Sequence, residues 1–483
     1  MNRDEPNVDG LWGALPKGRV ILVEGNPGSG KTILSTQFLY DGAMDHREKG
    51  MYVSFFEDPD SFEWNARSLG FDFRLLKRKK LFKIIHCTAM TGKGMKDSTR
   101  DIIQAIFDFR PQRLVFDSIS SVLQVMGHDE TRAFLQTVFQ NFLRRHLMTT
   151  LLVGEIPFGD GHTVDGISEF FADGIIRLER SHQSGHEMTL SNHLRTLSVL
   201  KMRGRRISEP LRFFTLEGGF HLIKRPVPIP KISKPKLWKP MNDSESNFST
   251  GSEDLDKLLG GGYPKGQYAV LETDPNVPIE VIRLFQFPLA WNFLAQERSV
   301  LILPTLGAES SEFKKFMTKH IPVETFEKHV RIFERVRGIS RLNMEQSPPY
   351  VISTKPDDPI EKTEELLNQT CLDLIRETGK PVARLIGYPA LENIYAGRLE
   401  LLYRFIGEAV AQNKLVGNFT LAVTRSDLEL TRRVLDIVDC HLRLIERNGC
   451  EFLRVVKPIP TEFFAVNTDI TEGTPKLKLT PMA

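Results

Sequence analysis

The chain has 483 residues, room for two or three domains with separate cores, and its 41% hydrophobic and 26% charged residues are the ordinary balance of a globular protein in water. A net charge of +3 makes no electrostatic case for a nucleic acid or an anionic membrane as partner. No run of eighteen apolar residues is present, the start Met1-Asn2-Arg3-Asp4-Glu5-Pro6 does not read as a signal peptide, and Cys87, Cys371, Cys440 and Cys450 form no C-x-x-C pair or metal-ligand spacing, so we expect a cytoplasmic chain with buried, reduced thiols.

The first element is an apolar run over 20–24, read as a buried strand, followed by Gly25-Asn26-Pro27-Gly28-Ser29-Gly30-Lys31-Thr32 and a helix over 33–40. That octet fits the phosphate-binding pattern G-x-x-x-x-G-K-[ST], with the strand and helix the pattern needs on either side. Glycines let several backbone N–H groups converge on one anion, and the following helix adds the positive end of its dipole. Lys31 is expected against the β- and γ-phosphates of ATP, and the Thr32 hydroxyl on Mg²⁺. The other reading is a glycine-rich turn without nucleotide.

Apolar runs over 52–56, 81–86, 114–117 and 150–155 read as strands, and stretches over 59–69, 99–109 and 130–146 as helices. This alternation predicts a mostly parallel sheet covered on both faces. Segments over 174–180 and 196–203 would extend the sheet, and 213–220 reads as a closing hairpin. Arg113-Leu114-Val115-Phe116-Asp117-Ser118 is an apolar strand ending in an acid, and Asp117 there would hold the water shell of Mg²⁺, or else simply cap a helix. Hydrolysis also needs a carboxylate to orient the attacking water; Glu57 follows the strand over 52–56, with helix capping before Pro59 as its alternative role. Lys77-Arg78-Lys79-Lys80 reads as an exposed turn.

Between residues 223 and 247 five prolines, Pro226, Pro228, Pro230, Pro235 and Pro240, fall among Lys224, Arg225, Lys231, Lys234, Lys236 and Lys239, which predicts an extended, solvated linker. Residues 1–222 are then a first domain and 248–483 a second. The pattern restarts after the linker: Leu11, Gly13, Pro16, Lys17 and Gly18 recur at constant separation as Leu259, Gly261, Pro264, Lys265 and Gly266. In the repeat the loop reads Thr273-Asp274-Pro275-Asn276-Val277-Pro278-Ile279-Glu280, with Ile279 for the lysine and Glu280 for the hydroxyl. The strand Arg384-Leu385-Ile386-Gly387-Tyr388-Pro389 places tyrosine where the first domain has its acid. No triphosphate is expected in the second domain.

These motifs resemble a KaiC domain of the RecA-type ATPases. Over about 10–223, Leu15-Pro16-Lys17-Gly18-Arg19, the phosphate loop, Gln37-Phe38-Leu39-Tyr40, Phe56-Glu57-Asp58-Pro59, Asp117-Ser118 and Leu200-Lys201-Met202-Arg203-Gly204 fall in that family's order. The second half is similar to the same domain at its start, in Ser249-Thr250-Gly251 and from Leu258 to Gly266, and weakly thereafter. The resemblance implies an α/β fold of two tandem RecA-like P-loop domains, each a mostly parallel sheet with helices on both faces. It implies ATP held between subunits of a homo-oligomeric ring, commonly a hexamer, with Lys201 and Arg203 of a K-x-R segment reaching the γ-phosphate of the next subunit; solvated charges at a strand end are the alternative. In the repeat Lys457 survives and Ile459 replaces the arginine. The family has two adjacent glutamates where this chain has Phe56 and Glu57, which implies slow hydrolysis and nucleotide acting as an assembly switch. Self-phosphorylation needs an active second domain and is not expected.

Three functions compete. The first is a KaiC-like ATPase whose second, pseudo-ATPase domain serves assembly or binds an unidentified protein. The second is DNA recombination, for which the loops over 121–130 and 157–168 offer few cations and few stacking platforms. The third is a non-catalytic regulator similar to the gas-vesicle regulatory P-loop proteins of archaea, with Arg203-Gly204-Arg205-Arg206 and the linker as its basic segments.

Overall fold

The computed structural model describes residues 15, 17–87, 92–120, 147–156, 171–180, 194–204, 207, 209–224, 232, 234–304, 309–335, 348–355, 358–395 and 397–482. The chain divides into two units, one of residues up to Ile223 together with Met482–Ala483, the other Lys224–Pro481. The expected helix over 130–146, both candidate DNA loops, Arg205, Arg206 and most of the early linker lie outside the described residues.

In the first unit the strands are β1 (Val20–Gly25), β2 (Gly50–Ser54), β3 (Phe82–His86), β4 (Arg113–Asp117), β5 (Thr149–Glu155), β6 (Gly174–Arg180), β7 (Arg195–Met202), β8 (Leu211–Thr215) and β9 (His221–Leu222). They form one sheet in the order β3-β2-β4-β5-β1-β6-β7-β8-β9. The first six run parallel, and β7 to β9 add antiparallel pairs at one edge. All of β1 is buried, as the apolar run requires. Ile21 and Val23 face helix α1 (Lys31–Asp45), whose Leu34 and Phe38 join their cluster, while Val20 and Leu22 face Ile102 and Ile106 of a later helix. Strand alternation thus gives the sheet two covered faces and hangs the loop from its centre. The elements expected within the described residues are found with ends moved by a few residues. The largest shifts are at α1, which extends past 40 to Asp45, and at the helix expected over 99–109, which begins at Gly92.

Helices α2 (Pro59–Ser68) and α3 (Phe73–Arg78) lie before β3, and α4 (Gly92–Phe109) follows it. The exposed turn expected over 77–80 is corrected in its first half: Lys77 and Arg78 end α3, and Lys77, like Arg74, pairs with Glu63 of α2, while Arg78, Lys79 and Lys80 are exposed.

The second unit repeats this plan. A two-stranded pair, β10 (Asn247–Phe248) with β11 (Tyr263–Pro264), flanks α5 (Glu253–Leu258). The main strands are β12 (Tyr268–Thr273), β13 (Ser299–Leu303), β14 (Val330–Arg335), β15 (Val351–Thr354), β16 (Val382–Gly387), β17 (Phe419–Arg425), β18 (Cys440–Arg447), β19 (Cys450–Lys457), β20 (Phe464–Asp469) and β21 (Lys476–Pro481). Their order, β15-β14-β13-β16-β17-β12-β18-β19-β20-β21, is that of the first sheet with one extra edge strand. Even an irregularity is duplicated: the register shifts between Ile175 and Ile176 in the first sheet and between His441 and Leu442 in the second. The helices are α6 (Ile279–Ala295), α7 (Ser310–Met317), α8 (Val323–His329), α9 (Ile360–Thr378), α10 (Tyr388–Ile394), α11 (Leu399–Val416) and α12 (Glu429–Ile437).

The expectation of a solvated linker as far as Asn247 is corrected. Trp238 is buried, its ring centre lies 5.3 Å from that of Trp291 with the planes tilted by 37°, and its backbone N–H donates to His320 O at 2.8 Å. Met241 N–H donates to Asn292 Oδ1 at 2.7 Å. Among the described residues, 234–246 form no helix or strand, but one indole finds a core that proline and lysine counts do not register.

Candidate nucleotide site

The site is built from the ends of β1, β2 and β4, where a parallel sheet opens at its carboxyl edge. The chain leaves β1 at Gly25, where a Cβ would meet Leu178 O at 2.1 Å and Ser29 Oγ at 2.7 Å, so only glycine fits. Gly28 (φ 75°) has open space beside its Cα, with nothing within 4 Å of a built Cβ, and Gly30 (φ 102°) caps α1 in a left-handed conformation. Asn26 Nδ2 donates to Ile156 O at 3.1 Å and fixes the loop to the end of β5.

Lys31 opens α1 and folds back over the loop, donating to Gly25 O at 2.8 Å and Asn26 O at 2.9 Å. Burial lowers its pKa, against the opposing pull of Glu155 and Asp117. Thr32 Oγ1 donates to Asp117 Oδ2 at 3.0 Å, which joins the two expected metal-holding groups across the sheet. Burial raises the pKa of Asp117, opposed by donors from Tyr52 and Thr32 and by the charge of Lys31. Ser29 Oγ is buried with no partner among the described residues. A buried cation on carbonyls, an unpartnered hydroxyl and an open glycine fit a phosphate group, and the Thr32–Asp117 pair offers the oxygen donors that Mg²⁺ prefers.

Glu57 and Asp58 divide the work that the sequence left open. Asp58 caps α2, accepting from Asp60 N–H at 3.0 Å and Ser61 N–H at 3.1 Å. Glu57 therefore is not the cap. Its carboxylate accepts from Asn65 Nδ2 at 2.5 Å, and its pKa is raised, chiefly by burial, with Asp117 and Asp58 adding to the rise and Asn65 opposing it. Phe56, beside it, is 90% exposed.

Lys201 and Arg203 are not brought to this loop. Arg203 N–H donates to Asp173 O at 2.8 Å, and its guanidinium lies 3.8 Å from the Asp173 carboxylate. Gly25 pairs with Leu178, five residues after Asp173, so the two ends lie about 17 Å apart along the sheet at roughly 3.4 Å per residue. Three participants escaped the sequence reading. Arg195 donates to Gly28 O at 3.0 Å from the start of β7, one residue before the strand expected there. Asn65 holds Glu57, and Tyr52 OH donates to Asp117 Oδ2 at 2.6 Å from inside an apolar strand whose pattern gave no hint of a polar tip.

The second unit has the same architecture with its charges removed or reversed. Ile279, at the lysine position, packs against the core, and Asp274 is tied to Arg447 at 2.8 Å. The register corrects the equivalence of Asp117 with Tyr388. Asp117 pairs with Val153, which pairs with Val23; Gly387 pairs with Val423, which pairs with Leu271. Gly387 thus holds the acid's place, and the neighbouring arginines agree: Arg113 donates to Phe38 O of α1, whereas Arg384 donates to Ala409 O of α11 and so faces the other side of its sheet. The same registers equate Arg180 with Glu446 and Arg195 with Glu451. Glu451 is buried, its pKa pushed up to about 7 by that burial and by Glu446. A charged carboxylate at about 4 Å from a bound phosphate would cost it about 4 kcal/mol at an effective dielectric of 20.

Comparison with known proteins agrees with both halves. The family model of the KaiC ATPase matches residues 6–223, and the model described as GvpD basic region 2 matches residues 237–483, just over half the chain. The chain is 23% identical to protein GvpD1 of Halobacterium salinarum over 96% of its own length and 94% of that relative. It is 29% identical to the circadian clock oscillator protein KaiC of Synechococcus elongatus, and 27% to that of Thermostichus vulcanus, in each case over 52% of this chain and 48% of the relative.

Proposed function

We propose, from the premise that this chain belongs to the GvpD family and carries a KaiC-type, RecA-like ATPase domain in its first half, that it is a nucleotide-switched regulator with one slow ATPase site per chain. The observation that carries this reading is the gathering of Lys31, Thr32 and Asp117 at one glycine loop, with Glu57 interacting with Asp117, while the second unit has Ile279, Glu280 and Gly387 at the places of Lys31, Thr32 and Asp117. Lys31 and the loop N–H groups bind the phosphates, Thr32 and Asp117 hold Mg²⁺, and Glu57 orients water and accepts its proton. Mg²⁺, when bound, neutralises charge on the β- and γ-phosphates. A base of raised pKa is suited to that transfer near neutral pH, but a single glutamate beside an exposed phenylalanine supports slow turnover.

Arg195 steadies the loop in cis. Arg203, about 17 Å from it along the strands, and Lys201, about 10 Å by the same count, act on nucleotide only across a subunit boundary, which makes turnover depend on a ring, a hexamer in our reading. The second unit contributes assembly or a protein-binding surface. The test is phosphate release by wild type, Lys31→Ala, Glu57→Gln and Arg203→Ala, with light scattering in the presence and absence of Mg-ATP. Undiminished turnover in Lys31→Ala would remove the site, and a monomer under both conditions would remove the role in trans.

A further inference from the structure

Tyr52 sits in the middle of β2, 1% exposed, with its ring 4.6 Å from that of Phe62. It pairs with Val115 on β4, and Asp117 lies two residues further along the same strand face. The phenol therefore reaches diagonally to the carboxylate, and its hydroxyl donates to Oδ2 at 2.6 Å, the oxygen that also accepts from Thr32 Oγ1 at 3.0 Å. A buried hydroxyl needs a partner, and Asp117 is the one to which it donates. Two donors on one carboxylate oxygen fix the rotation of the group. They thereby set the direction of the second oxygen.

We propose that Tyr52 is a positioning residue, whose hydroxyl holds the Asp117 carboxylate in the orientation that engages Thr32 and so sets how tightly the site takes Mg²⁺ with nucleotide. This rests on the reading of Thr32 and Asp117 as the metal-holding pair. Groups of this kind, one step removed from the metal, change its affinity by about 10- to 100-fold when lost. Tyr52 acts through Asp117 and not on the nucleotide itself, which separates its signature from that of Lys31: nucleotide affinity measured without metal stays as it was, and only the metal-dependent increment shrinks. Phenylalanine keeps the ring that packs on Phe62, so the exchange isolates the hydroxyl.

The experiment titrates a fluorescent ADP analogue into the full chain across a series of Mg²⁺ concentrations, for wild type, Tyr52→Phe and Asp117→Asn, with circular dichroism to establish that each is folded. The half-saturating Mg²⁺ concentration is expected to rise about tenfold in Tyr52→Phe, with affinity in excess EDTA unchanged. A wild-type Mg²⁺ requirement in Tyr52→Phe, with Asp117→Asn having lost its own, would overturn the role of Tyr52 alone. A wild-type requirement in Asp117→Asn would overturn the reading of the metal site, and this inference with it.

Discussion

Replacing Lys31 by methionine should move affinity and stability in different directions, because the ammonium is costly to the free chain and needed by the ligand. In the free protein it is 7% exposed and, among the described residues, donates to the carbonyls of Gly25 and Asn26. Burial lowers its pKa, so the unfolded chain binds more protons than the folded one, and stability rises with pH until the unfolded value of 10.5 is passed. Methionine fills similar space without a charge to desolvate, so the nucleotide-free variant should melt no lower than wild type and lose the alkaline part of that slope. For the nucleotide, one unit charge at about 4 Å and an effective dielectric of 20 contributes about 4 kcal/mol, or roughly three decades in dissociation constant. Titration with a fluorescent ADP analogue measures the first quantity, and thermal denaturation without nucleotide measures the second. Affinity within about threefold of wild type would refute the assignment of this ammonium to phosphate, and a large drop in melting temperature would refute the claim that it is a burden on the free fold.

Glu57→Gln should leave nucleotide affinity unchanged and cut single-turnover phosphate release by about 10² to 10⁴; equal losses in both would make Glu57 a structural residue held by Asn65. The folded chain holds the Glu451 proton up to about pH 7 whereas the unfolded chain releases it near 4.5, so between those values the folded state binds more protons and stability falls as pH rises. Chemical denaturation across that window should show the decline in wild type and a flatter profile in Glu451→Gln, and identical slopes would place the titrating group elsewhere.

The loop was legible because its conformation is set locally, by glycines that must be where they are. Strand identity was equally plain in β1, where every side chain is buried. Register was not. An apolar run declares a strand without saying which partner faces which, and the one-residue slip between Gly387 and Tyr388 became visible only through Val423 and Leu271. The division between Glu57 and Asp58 was likewise hidden, since capping depends on backbone angles at Asp58 (φ −74°, ψ 160°) that two adjacent acids do not disclose. Tyr52 passed as one more β-forming aromatic, and Arg195 lay one residue outside the strand expected there. In both cases the informative atom is the end of a long side chain whose target is distant in sequence.

The seating of Trp238 bears on how the second half is to be cut out for separate production. An expression fragment opening at Phe248 would discard the indole that closes the space beside Trp291 and His320, together with the Met241 backbone that occupies Asn292. Truncating a buried tryptophan costs about 3 to 5 kcal/mol, a large share of what keeps a domain folded. A soluble piece therefore has to begin upstream of Lys236, inside what composition alone would have trimmed away as spacer.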